Sequence, residues 1–158
     1  VSAGGVGTDA ASGEAYTIKL AHESGLTLGG GNMKVGNTAA RVGESAATGY
    51  AKYSNGGLTV GYQEFYYNAP SEGADTDGDG MAIAYTAGDV TISYSVMTEQ
   101  TNAHGATAAL EEEEISAFQA AYTMGGMTLA ASMYETDNTE GVAGNKYEET
   151  ELSVSFAF

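Results

Sequence analysis

Asp75-Thr-Asp77-Gly-Asp79-Gly80 sets three carboxylates at alternate positions ahead of a glycine. This is how the first half of a calcium loop gathers hard oxygen ligands around a hard cation. The pattern then breaks. Thr86 stands where a bidentate Glu belongs, and no flanking helix is plausible, so the segment is not an EF-hand. Two readings remain: a looser calcium site at Asp75, Asp77 and Asp79, or an acidic, solvated loop. Glu111 to Glu114 form a second acidic run, which by mutual repulsion reads as a solvated segment. His22 and His104 are far apart, and no serine stands in a nucleophile elbow. Paired carboxylates occur only where loops are expected, without the burial that tunes acid–base chemistry. No enzyme is expected. With no cysteine there is neither a disulfide nor a thiolate site.

Lys19, Lys52, Gln63 and Gln119 belong to segments in which polar and apolar residues alternate, and this periodicity defines the elements that must position them. Tyr53-Ser-Asn-Gly-Gly-Leu-Thr59, Tyr85-Thr-Ala-Gly-Asp-Val-Thr91 and Tyr122-Thr-Met-Gly-Gly-Met-Thr128 repeat one pattern, and His22-Glu-Ser-Gly-Leu-Thr27 is a version shorter by one residue. Asn-Gly, Gly-Asp and Gly-Gly supply the positive φ of tight hairpin turns between alternating strands. After the second turn Val90, Ile92, Tyr94 and Val96 alternate with Thr91, Ser93 and Ser95. Such a strand has one apolar face and one small, polar face. Helical spacing fits poorly.

The spacing predicts nine strands, at 14–23, 26–35, 47–54, 58–68, 80–87, 90–99, 115–124, 127–136 and 150–158. Long links at 36–46, 69–79, 100–114 and 137–149 alternate with the tight turns, so one end of the sheet carries only turns and the other only long links. Residues 1–13 read as the tail of another such link, and 14–158 as a single domain. The fold class expected is all-β and antiparallel.

A soluble sheet hides its apolar face and shows a charged one, and soluble surfaces are about a quarter to a third charged. Here the second face is Thr, Ser, Gly, Ala and Gln, with Lys19 and Lys52. Of 21 acids, eighteen fall in the N-terminal stretch and the long links or their margins, Glu23 and Asp89 in tight turns, and Glu64 alone inside a strand. A transmembrane β-barrel predicts this distribution, because charge on a lipid-facing strand costs kcal/mol near the midplane. Tyr53, Tyr85 and Tyr122, with His22 in the equivalent place, would then form an interfacial girdle. The alternative is that each tyrosine packs a sheet edge. The formal charge of -16 repels phosphate backbones and argues against a nucleic-acid partner. No stretch reaches the roughly 20 apolar residues of a membrane helix.

With these features the chain resembles, over residues 14–158 and at the level of pattern, the C-terminal half of a Gram-negative general outer-membrane porin. The most specific feature is the ending Leu152-Ser-Val-Ser-Phe-Ala-Phe158, which is similar to the signal read by the barrel assembly machinery through a terminal Phe158. The resemblance implies a roughly 16-stranded barrel, a homotrimer, and a water-filled channel for passive diffusion of small polar solutes; the eighteen link-side carboxylates, by concentrating cations near one mouth, predict cation preference. Lys19, Lys52, Gln63 and Gln119 would line the pore. The implied partners are the lipid bilayer and lipopolysaccharide, to which divalent ions could bridge the acidic run. No cofactor is implied beyond the calcium reading. Nine is an odd number, so the first and last strands run the same way and earlier strands are expected to complete the barrel. The competing class is a non-porin barrel, either an anchor or adhesin or an autotransporter translocator; a soluble ligand-binding barrel is a third.

Overall fold

The computed structural model describes residues 2–3, 13–36, 43–70, 73–103 and 110–157. They form a single antiparallel sheet whose spatial order is the sequence order. The strands are β1 (Ser2–Ala3), β2 (Glu14–Ala21), β3 (Leu26–Lys34), β4 (Ser45–Asn55) and β5 (Leu58–Asn68). They continue as β6 (Ala74–Ala87), β7 (Val90–Ala103), β8 (Glu113–Met124), β9 (Met127–Asp137) and β10 (Lys146–Phe156). Nine are full strands and β1 is a two-residue bridge. The described residues contain no α-helix, only one 3-10 turn at Thr139–Gly141. The sheet is open, with β1 and β10 at its edges.

The turns fall where the glycines are. Gly56 and Gly57 both have positive φ, while Gly88 and Gly125 are positive at the first turn position, the two arrangements of the hairpin turns that match strand twist. Each turn also takes part in the next hairpin. The carbonyl of Gly25 accepts the Ser54 N–H at 3.1 Å, that of Gly57 the Thr86 N–H at 2.9 Å, that of Asp89 the Thr123 N–H at 2.8 Å, and that of Gly126 the Ala157 N–H at 2.7 Å. The result is a staircase. One cross-strand row meets β4 at Lys52, three residues before Asn55, β6 at Ala82, five before Ala87, and β8 at Ala117, seven before Met124. The stagger is two residues per hairpin, one per strand, always in one direction.

Three expectations need adjusting. β6 begins at Ala74 and β7 runs to Ala103, so the links expected at 69–79 and 100–114 are shorter. Asp75, Asp77 and Asp79 lie in a strand, paired with Asn102, Gln100 and Thr98. Asp and Gly are poor strand formers, but ladders with both neighbours override that preference. Secondly, thirteen acids, not one, stand within strands, from Glu14 to Glu151. Thirdly, Ser2 and Ala3 pair antiparallel with Thr17 and Tyr16. β2 and β10 run the same way, as expected, but β1 runs against both. Residues 4–12, His104 and Phe158 lie outside the described residues.

The sheet has no packed core. Among described hydrophobic side chains only Ala117 is buried, whereas Leu20 and Met81 are each 61% exposed and Phe156 is 60% exposed. The register puts Ile18, Leu28, Val60, Ile83, Ile92, Leu129 and Val154 on one face. The opposite face carries mainly Thr, Ser, Gly, Ala and Gln, with Tyr50, Phe65, Met97, Ile115 and Tyr134 among them and the acids Glu99, Glu113, Glu149 and Glu151.

The staircase depends on Gly57, whose φ is +86° and on which a Cβ would stand 2.3 Å from the Thr86 carbonyl oxygen. Gly57→Val is expected to destabilise the sheet by more than about 2 kcal/mol. Gly49→Ala, with nothing within 4 Å of its added Cβ, should change stability by less than about 0.5 kcal/mol. Urea unfolding followed by circular dichroism measures both.

Candidate functional site

The polar face brings two of the four expected residues, Lys52 and Gln63, to one groove and sets Lys19 in the same cross-strand row as Gln63. Lys19, Gly29, Tyr50 and Gln63 are successive cross-strand partners on β2 to β5, and Lys52 follows Tyr50 by two residues on the same face. Gln119 stands apart. Its Nε2 donates to Tyr134 Oη at 3.0 Å, in a shallow depression with Thr91, Ser93, Ser132 and Glu151. The Gln63 side-chain N–H donates to Thr48 Oγ1 at 2.9 Å, and that hydroxyl donates to the Glu64 carbonyl at 2.9 Å. Among the described residues the ion pairs are those of Lys146, so Lys19 and Lys52 are both cations without a carboxylate partner there.

Two aromatic rings shape this region. A Cβ on Gly29 would come 2.4 Å from Tyr50 Cζ, and one on Gly78 would come 2.6 Å from Phe65 Cζ. Each ring therefore lies along the sheet over the glycine paired with it, the arrangement by which an aromatic shields a strand glycine. Between the rings is a groove of about 420 Å³ lined by Tyr50, Lys52, Gln63, Phe65 and Met97, with Gly61, Gly80, Ala82 and Ser95 as its floor. Tyr50, Phe65 and Met97 were not among the residues expected from sequence. Parity could have found them: Tyr50 is two residues before Lys52, and Phe65 two after Gln63.

Nearer the tight turns the same face carries paired hydroxyls. Ser54 and Thr59 are 3.0 Å apart, Thr86 and Thr91 3.0 Å, and Thr123 and Thr128 3.2 Å. Each pair spans a two-residue turn and leaves further hydrogen-bonding capacity for water.

The acids behave differently. Asp75, Asp77 and Asp79 are alternate residues of β6, about 7 Å apart along the strand, and each is engaged separately. Asp79 accepts from Thr98 Oγ1 at 3.0 Å, Asp77 from Asn102 Nδ2 at 3.2 Å and Asp75 from the Ala69 N–H at 2.9 Å. Among the described residues no group of three or more His, Cys, Asp or Glu is arranged to hold a metal ion. The loop geometry behind the calcium reading is therefore not the geometry found. The run Glu111 to Glu114 is divided, its last two residues beginning β8 on opposite faces.

Asp75, Asp77, Asp79 and Glu114 belong to a band on the apolar side of the sheet, on the long-link side of the hydrophobic residues. There Glu64 faces Asp79, Glu114 faces Asp137 and Glu135 faces Glu148 across neighbouring strands. Like charges directly opposite are unfavourable. Lys146 relieves one cluster by pairing with Asp137 and, at 3.6 Å, with Glu135. Glu44, almost fully buried, accepts from Tyr67 Oη at 3.4 Å.

Comparison of the chain with family models, characterised proteins and solved structures finds no match.

The Tyr50–Gly29 contact gives a direct test of this face. Gly29→Val should destabilise the protein by roughly 1–3 kcal/mol through overpacking, and by much less in a Tyr50→Ala background. A double-mutant cycle from denaturant titrations measures that difference.

Proposed function

We propose that this sheet is part of a transmembrane β-barrel of a bacterial outer membrane, and that the barrel is a porin passing small hydrophilic solutes by diffusion. The observation that carries the reading is the pairing of an exposed apolar face with a small, polar opposite face across nine strands of regular stagger. A stagger of one residue per strand is the ratio of an eight-stranded barrel of shear eight, whose strands tilt by about 36°. Membrane barrels tilt by about 35–45°. Tyr53, Tyr85 and Tyr122 are exposed on the apolar face beside the tight turns, as an interfacial girdle requires. The uncharged stretch of β7 runs from Val90 to Thr98, about 27 Å along the strand at ~3.4 Å per residue and roughly 22 Å of membrane thickness at a tilt of about 36°. That suits a thin bilayer, as outer membranes are.

Within this reading the polar face lines water, with Lys19, Lys52, Gln63 and Gln119 on the pore wall. The acid band lies level with the headgroups on the long-link side, where divalent ions could bridge it to lipopolysaccharide. A homotrimer and recognition by the assembly machinery through Phe158 complete the proposal. The open edges need partners, because unpaired backbone groups in lipid cost several kcal/mol each. In a porin the partners are further strands of the barrel.

One observation favours a second reading. Because β1 runs against β10, ten strands can close with an antiparallel seam, which suits a smaller non-porin barrel such as an anchor or adhesin. Small barrels fill their interiors with side chains, however, and Gly61, Gly80, Ala82 and Ser95 leave room instead.

Reconstitution into planar bilayers tests the proposal. Stepwise conductance is expected, with a reversal potential under a salt gradient showing cation preference, since the negative charge concentrates cations at the mouth. The preference should shrink at 1 M salt, where the Debye length is about 3 Å. Anion selectivity at low ionic strength would contradict the charge assignment. Insertion without conductance would favour the closed, smaller barrel.

A further inference from the structure

We propose that the groove over Gly61, Gly80 and Ala82 is a binding station for small solutes that join a flat or cyclic apolar body to a carboxylate. The inference deepens the porin reading by naming a solute class, and rests on that reading for its physiological meaning; binding itself rests only on the groove.

The groove holds about 420 Å³, enough for a single ring and its substituent. Its floor is small and mostly apolar because Gly61, Gly80, Ala82 and Ser95 project almost nothing from the sheet. Tyr50 and Phe65 lie at its rim as aromatic surfaces, held flat over Gly29 and Gly78, and Met97 closes the side formed by β7. A ring entering here covers apolar surface and stacks near aromatics, interactions available to any cyclic solute.

Charge then selects among such solutes. Lys52 stands at the β4 side of the groove without a carboxylate partner among the described residues, beside Gln63, whose amide is fixed by Thr48. Glu99, the polar-face carboxylate on the β7 side beyond Met97, is three strands across and four residues along from Lys52, roughly 20 Å away at ~4.8 Å per strand and ~3.4 Å per residue. An anionic group is thus drawn to the Lys52 end and repelled from the other, which orients the solute with its ring over Gly80 and Ala82. A neutral ring lacks that anchor, and a small carboxylate lacks the body.

The test is an NMR titration of the full chain in detergent micelles with benzoate, benzamide and acetate, so it needs no channel activity. Saturable benzoate binding is expected, about tenfold or more tighter than either control. Lys52→Gln should remove the advantage of benzoate over benzamide, and Ala82→Leu, which fills the floor, should weaken both. Benzoate binding no tighter than acetate overturns the groove; an advantage over benzamide that survives Lys52→Gln overturns the role of the cation. Failure of conductance in bilayers would instead sink the porin reading and leave this titration to decide the groove.

Discussion

Everything in this structure depends on an apolar face that the described chain does not cover with any element of its own. Nine strands turn Leu, Ile, Val, Met, Phe and Tyr to the same side, and among the described hydrophobic residues only Ala117 is buried. At about 25 cal/mol per Å² of apolar surface, leaving such a face in water would forfeit the main favourable contribution to folding. On the proposed reading lipid is the cover, and the opposite, hydroxyl-rich face is left to water.

The backbone provides what the missing core cannot. Each tight turn hands its last carbonyl to the strand of the next hairpin, so a single interaction closes one ladder and offsets the next. Repetition of that step generates a uniform stagger, and uniform stagger lets a sheet curl in one sense. The small residues of the polar face serve the same end. They allow Tyr50 and Phe65 to lie flat and keep the space above the sheet open, with Lys52 and Gln63 beside it.

The hairpins were legible in the sequence because Gly-Gly, Asn-Gly and Gly-Asp punctuate them and two-residue alternation surrounds them. The shared face of Lys19, Lys52, Gln63 and Gln119 followed from the same parity. The extent of β6 and β7 was hidden, since Asp75, Asp77, Gly78 and Asp79 are loop formers locally and become strand only through ladders to residues some 11 to 27 positions away in sequence. By the same local signals the acids read as link residues, although many stand at strand ends. β1 was invisible because two residues carry no periodicity. The groove was missed because Tyr50 and Phe65 interrupt a polar face, and only the opposing glycines explain why they fit there.

The central claim, that the apolar face meets lipid and the polar face meets water, is tested most directly by spin-label accessibility at paired sites on β6, β7 and β9. The chain has no cysteine, so single substitutions at Ile83, Ala84, Ile92, Ser93, Leu129 and Ala130 can each carry one label in bilayer-reconstituted protein. The account predicts that labels at 83, 92 and 129 relax with oxygen, whereas those at 84, 93 and 130 relax with a water-soluble nickel complex. Uniform water accessibility, or the opposite alternation, would contradict it.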